Sequence, residues 1–252
     1  GQVYDLEFPV LMRKGSSIEV TPGGSISISG QVVGSDPGLY PYEIELGEAC
    51  SLIARGGVIA LDVEQGDISI GRSTRIISKG QTVRDFGTVY PGGPFGYTVF
   101  DGGKVSISAA LGAVDFGQGT LIDISGSKVV QDQVQTMLGN YEKVHKAGHG
   151  GSLSMTSLSQ VDMSGLNLKA GTALAPLKKG LLDIELASID SMLQVDEQLA
   201  DMIADSGIDA LSLKSPMGIE FGDPNSAQLK LQADRKLSLD APVLTAPENA
   251  DV

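Results

Sequence analysis

A glycine pair followed by apolar residues at every second position recurs along this chain, and it constrains the fold more than any other feature. Gly24-Ser25-Ile26-Ser27-Ile28-Ser29-Gly30, Gly103-Lys104-Val105-Ser106-Ile107-Ser108 and Gly151-Ser152-Leu153-Ser154-Met155-Thr156 share the template, and Gly56-Gly57-Val58-Ile59-Ala60-Leu61-Asp62-Val63 is a looser copy. A period of two places alternate side chains on opposite faces of an extended strand, so these segments read as half-buried strands and not as helices. A second template, apolar-Asp-apolar-Ser-Gly, occurs in Ile122-Asp123-Ile124-Ser125-Gly126 and again in Val161-Asp162-Met163-Ser164-Gly165. Shorter alternating pieces follow at Asp67 to Gly71, Leu182 to Leu186, Leu211 to Leu213, Leu229 to Leu231 and Leu237 to Leu239.

Strands of three to six residues bury too little surface to stand alone, but strands stacked pass upon pass close a continuous core. Composition agrees: aromatics are 5 % with no Trp, and there are 33 Gly, so the core has to be built in thin layers from Leu, Ile, Val, Ala and Met. The expected class is all-β, and within it a right-handed parallel β-helix (β-solenoid) spanning residues 1–252 as one unit. Each coil would hold roughly 20 residues and advance by about 4.8 Å. Glycines are expected at the corners, where the backbone angles disfavour a Cβ. A β-sandwich is the competitor, but apart from Asp101-Gly102 no hairpin dipeptide joins two longer strands.

Three segments interrupt the rhythm. Residues 31–50 and 81–101 hold Pro37, Pro41, Pro91 and Pro94 and read as projecting loops, while 127–149 reads as a longer polar excursion. Residues 196–205 predict a short helix on the flank. Val195, Leu199, Met202 and Ile203 share one face, Asp196 caps the start, and Gly207 ends it.

Thirty-one acidic against 18 basic residues leave a net charge of −13, which disfavours nucleic acid and anionic membranes as partners. The single Cys50 excludes an internal disulfide. No run approaches the ~18 apolar residues of a membrane span, and no signal peptide is recognisable, so export would depend on a signal elsewhere.

The pieces Asp101-Gly102-Gly103-Lys104-Val105-Ser106-Ile107, Ile122-Asp123-Ile124-Ser125-Gly126, Gly150-Gly151-Ser152-Leu153-Ser154-Met155, and the run from Ser206-Gly207-Ile208-Asp209-Ala210-Leu211-Ser212-Leu213 to Leu237-Ser238-Leu239-Asp240-Ala241-Pro242 resemble the filamentous haemagglutinin family of bacterial exoproteins. The resemblance covers residues from about 101 to 244, and the first hundred match only in style. It implies a β-helix inside a long fibre-like passenger, secreted by two-partner secretion through an outer-membrane partner to the cell surface, with roles in attachment or aggregation. It carries over no catalytic residue. The implied partners are further solenoid segments or other copies stacked end to end, and a cell-surface or polysaccharide receptor.

Candidate chemistry is sparse. Tyr40, Tyr42, Tyr90 and Tyr97 fall on the projecting loops, where flat amphipathic rings suit adhesive contacts. Asp62, Asp123, Asp162 and Asp183 lie between apolar neighbours and are expected to point outward as an acidic face; a β-helix polysaccharide lyase or hydrolase using such carboxylates is the alternative to an adhesin. His145 and His149 have the i, i+4 spacing of a metal pair, but Gly148, Gly150 and Gly151 oppose the helix that spacing needs. Cys50 reads as a small buried residue. No cofactor is implied.

Overall fold

The computed structural model describes all residues except 1, 7–9, 31–42, 86–95, 136–138, 140, 160, 176, 223–228, 230 and 247–252. The protein is mostly strand with one helix, and its main sheets are parallel. The first sheet has eight parallel strands, Gln2–Leu6, Ser25–Gly30, Val58–Val63, Lys104–Ala109, Ser152–Ser157, Gly180–Leu186, Ile208–Lys214 and Lys236–Asp240, paired in chain order. The second holds Val10–Met12, Ile44–Leu46, Ile68–Ile70 and Val114–Phe116. The third holds Ser17–Glu19, Ser51–Ile53, Arg75–Ile77, Thr120–Asp123 and Leu166–Lys169. The chain therefore visits first, second and third sheet in rotation, each visit adding one strand beside the last. Asp162 keeps the second-sheet place in its pass through a bridge to Asp115. Further on, Leu193–Val195, Ile219–Phe221 and Leu244–Thr245 form a separate parallel sheet that alternates with the first.

Register explains why the alternating templates work. In the first sheet Ile26, Ile59, Val105, Leu153, Leu182 and Leu211 pair in sequence, as do Ile28, Leu61, Ile107, Met155, Ile184 and Leu213. The second sheet aligns Ile44, Ile68 and Val114, and the third aligns Leu52, Ile76, Ile122 and Leu168. All these side chains are buried in one cluster, so each pass lays an apolar layer on the previous one. Full burial of such a side chain contributes about 1.5–3 kcal/mol. The serines between them face away from the core and fit a closely spaced strand face.

The glycine pairs have a cause that turn geometry alone does not supply. The second glycine of the pair forms a column, Gly24, Gly57, Gly103 and Gly151, in which the amide of the next residue donates to the glycine carbonyl one pass below: Val58 to Gly24 at 3.1 Å, Lys104 to Gly57 at 2.9 Å, Ser152 to Gly103 at 3.0 Å. A Cβ on Gly57, Gly103 or Gly151 would fall 1.9, 1.8 or 2.0 Å from that carbonyl oxygen. Only a hydrogen fits. Positive φ does occur at the first glycine in Gly23 and Gly56, at 75° and 61°, but not throughout the pairs.

The helix runs over Glu197–Ser206. Asp196 Oδ1 accepts from the Leu199 amide at 2.8 Å, and Gly207 closes the helix in the left-handed region. Leu199 and Ile203 are buried and the helix packs on Leu166–Lys169.

The interruptions differ from simple loops. Within 31–50, Ile44–Leu46 is a regular strand with both apolar residues fully buried; prolines earlier in the segment masked a three-residue strand too short to show alternation. Residues 31–42 lie outside the described residues. Segments 81–101 and 127–149 each contain an antiparallel hairpin, Thr82–Asp85 with Gly96–Val99 and Val130–Gln135 with Tyr141–Lys146. Both leave the stack after a third-sheet strand and return before a first-sheet strand, and they contact each other. Among the described residues no helix is long and apolar enough to cross a membrane.

Candidate functional site

At the corner where the third sheet leads into the first, beside the feet of the two hairpins, an open groove of about 610 Å³ runs along the stack. Its floor is the glycine column, so backbone lies bare along it. Asp101, Lys104, His149, Lys178, Lys179 and Arg235 stand around it. The topology collects them: Asp101 and His149 close the two hairpin excursions, Lys104 opens a first-sheet strand, and the remaining three precede later first-sheet strands.

Hydrogen bonds hold this wall in place. Asp101 Oδ1 accepts from the His149 amide at 2.8 Å, and His149 Nδ1 accepts from the Lys178 amide at 3.0 Å. With Nδ1 so engaged, the neutral ring carries its proton on Nε2 as a donor. Asp209, almost fully buried, accepts from Arg235 Nη2 at 2.9 Å and Nε at 3.1 Å and from the Lys179 amide at 3.0 Å. Lys179 Nζ pairs with Asp234 at 3.0 Å, and Lys179 holds the Asp234 carboxyl below the usual carboxylate range. The groove thus offers cationic donors on an acidic protein, over a floor that admits close approach of a flat, extended ligand.

Comparison with protein-family models, with curated proteins and with solved structures finds no match. Function has to be argued from the residues themselves.

The acids expected on one outward face do not assemble. Asp62 is exposed on the first sheet between Ser29 and Ser108. Asp183 lies in the same sheet with two strands intervening, Lys104–Ala109 and Ser152–Ser157. Three strand spacings and a two-residue offset put their backbones about 16 Å apart, beyond the ~9.5 Å limit for paired glycosidase carboxylates. Asp183 instead pairs with Lys214 at 3.2 Å. Asp123 is not outward and free: it is buried, its Oδ1 accepting from the Ser125 amide at 3.0 Å and the Ser125 hydroxyl at 2.5 Å, with Lys79 3.8 Å away. Alternation sends it away from the core, but the Ser125 turn and Lys79 of the adjacent pass close on it, which the period of two does not encode. Asp162 is exposed, and the Ser164 hydroxyl and amide hold its carboxyl below the usual range, which suits a structural acceptor better than a proton donor. Asp162 and Asp196 do share a cavity of about 180 Å³ lined by Met163, Ile184, Leu193 and Leu199.

Of the tyrosines, Tyr97 is half-buried opposite Arg84 in the first hairpin, and Tyr40, Tyr42 and Tyr90 lie outside the described residues. His145 sits on a hairpin strand across from Gln131, while His149 lies past its end at the groove. Among the described residues no group of three or more His, Cys, Asp or Glu is placed to hold a metal ion.

Cys50 has a corner role. The amide of Arg75 donates to Cys50 O and that of Leu121 to Thr74 O, so Cys50, Thr74 and Thr120 occupy equivalent places in successive passes. Cys50 Sγ lies 3.1 Å from Arg13 O and 3.7 Å from Met12 O, and Thr74 Oγ1 donates to Gly47 O at 3.0 Å in the same manner. Cys50→Thr is therefore expected to fold with a stability change of about 1 kcal/mol or less, measured by urea unfolding, and Cys50 should resist iodoacetamide until the protein unfolds. Rapid alkylation of the native protein would refute this placement.

The groove escaped sequence reasoning, although its signals are present. Gly56-Gly57, Gly102-Gly103 and Gly150-Gly151, with Lys178-Lys179 and Arg235 within a residue of the same phase, mark one corner once the register is known.

Proposed function

We propose that this chain is a right-handed parallel β-solenoid acting as a structural and adhesive segment of a large secreted bacterial surface protein of the filamentous haemagglutinin type, without catalysis of its own. The observation that carries the reading is the rotation of the chain through the same three parallel sheets. Such rotation produces a rod, and parallel crossovers are right-handed in the great majority of proteins. A rod displays long repetitive sides, which suits attachment along an extended receptor better than enclosure of a small substrate. The resemblance of residues 101 to 244 to the haemagglutinin templates supports secretion to the cell surface through an outer-membrane partner, with further solenoid segments or other copies stacked on the ends.

The glycine-floored groove is the receptor site on this reading, and a polysaccharide strand lying along the stack is its occupant. The purified chain is expected to bind members of a polysaccharide panel without cleaving them, acidic polymers most strongly. Lys104→Glu with Lys178→Glu should weaken acidic binding at least about tenfold at low salt, an effect that shrinks as salt screens the charges. Undiminished binding in that variant would remove the groove from the reading.

A polysaccharide hydrolase or lyase is the second reading, favoured by the cavity that Asp162 and Asp196 share. Turnover of any panel member that disappears in Asp162→Asn would replace the adhesin reading with this one.

A further inference from the structure

The groove over the glycine column changes character from one end to the other. In the first sheet Ser25, Val58, Lys104, Ser152 and Leu181 pair in sequence, and the residues at and just before these positions line the groove, so its walls can be followed pass by pass. Gly23 opens it. Then come Gly56, Gly57 and Val58, the last 41 % exposed, and no lining residue of these two passes is charged. The next pass contributes Asp101 and Lys104, whose charges offset, and the one after it His149 and Ser152. Lys178 and Lys179 follow, with Arg235 beyond them. Lys179 and Arg235 are engaged by Asp234 and Asp209, which leaves Lys178 as the cation of this end with no ion-pair partner among the described residues.

An aromatic ring sharpens the contrast. Phe100, half-buried just after the first hairpin, lies against the neutral end: its Cε1 is 3.7 Å from where a Cβ on Gly23 would stand, and its Cγ 3.5 Å from one on Gly56. A ring beside exposed Val58 and bare backbone suits the apolar face of an uncharged sugar. From Gly23 to Lys178 there are four strand spacings, about 19 Å. A sugar in an extended chain takes up about one such spacing, so roughly four sugars lie along the groove. A chain with an acid on every sugar would set carboxylates over the neutral end, where no lining cation meets them, and against Asp101, on a protein of net charge −13.

We propose that the groove selects sparsely charged acidic polysaccharides, in which neutral sugars separate the acids, and holds them in one direction, with an acid at Lys178 and neutral sugars towards Phe100. Phe100 is the specificity-determining residue. The proposal rests on the groove being the receptor site. A neutral chain lacks the contact with Lys178, and a fully charged chain loses the Phe100 end, so affinity passes through a maximum as acids are removed from a polymer. Salt weakens the Lys178 contact, whereas the apolar contact with the ring is not screened.

Polygalacturonate of graded methyl esterification tests this, because the ester removes charge and leaves the backbone unchanged. At low salt the chain is expected to bind the polymer with about three-quarters of its carboxyls esterified several-fold more tightly than either the unesterified or the fully esterified form. Phe100→Leu, which keeps apolar bulk against the glycines, should weaken binding of the partly esterified polymer about fivefold at low and moderate salt alike, and change binding of the unesterified one by less than about twofold. Phe100→Tyr should bind as the parent does. Lys178→Gln should weaken binding at low salt, with an effect that shrinks as salt is added. Affinity that rises or falls steadily with charge overturns the proposal and leaves the receptor-site reading standing, and so does parental binding of the partly esterified polymer by Phe100→Leu. Failure of all three polymers to bind at low salt removes the receptor-site reading and the proposal together.

Discussion

Gly103→Ala is expected to destabilise the protein by at least about 3 kcal/mol, at the upper end of the usual overpacking range. The added methyl would sit 1.8 Å from Gly57 O, 2.2 Å from Ser78 Oγ and 2.7 Å from Gly57 N. None of these can move independently. Gly57 O accepts the Lys104 amide at 2.9 Å and the Ser78 hydroxyl at 2.7 Å, so relief of the clash breaks the ladder between two passes. The neighbouring passes would have to separate locally, and the first-sheet pairing of Lys104–Ala109 with Val58–Val63 would be lost at its start. Gly171→Ala is the control: nothing lies within 4 Å of its would-be Cβ. There the alanine reduces the freedom of the unfolded chain, and a gain of about 0.4–1 kcal/mol is expected. Urea midpoints of the two variants provide the comparison. Equal midpoints would mean that the glycine column is not close-packed.

Ile124→Asp is expected to abolish the folded state of the central passes. Ile124 is fully buried, its amide donates to Lys169 O at 2.8 Å, and its carbonyl accepts from the Gly151 amide at 2.7 Å. Loss of the side chain from a tight core costs about 2–5 kcal/mol. A carboxylate there has no cation to meet it and adds several kcal/mol more unless it takes up a proton. The sum reaches the whole stability of an ordinary domain, about 5–15 kcal/mol. Leu121→Asp, three residues earlier in the strand Thr120–Asp123 but half-buried in register with Arg75 and Asn167, should cost far less. Circular dichroism and thermal unfolding distinguish them, and an Ile124→Asp protein melting within a degree or two of the parent would refute the burial.

The contrast between Ile124 and Leu121 shows which part of the protein was legible beforehand. Alternation along Ser25–Gly30, Lys104–Ala109 and Ser152–Ser157 determined strand, face and core, because a period of two is local and each apolar residue needs cover. Ile107, Ile124 and Leu153 are buried as their templates imply. The helix was equally local: Asp196, the Leu199 and Ile203 face, and Gly207 are readable within a dozen residues. The hairpins in 81–101 and 127–149 were not, because Thr82–Asp85 and Val130–Gln135 are mostly polar and their pairing depends on a partner strand rather than on a core.

The candidate site lies beyond that local range. Which glycine stacks on which, and hence that Asp101, Lys104, His149, Lys178 and Arg235 surround one groove, follows from a register spanning most of the chain. The burial of Asp123 and the dispersal of Asp62 and Asp183 follow from the same register. The sequence by itself determined that these strands must stack, since none can bury its apolar face alone. Only the tertiary structure decided what each edge of the stack presents, because residues dozens of positions apart become neighbours through backbone hydrogen bonds that any sequence of suitable size can make.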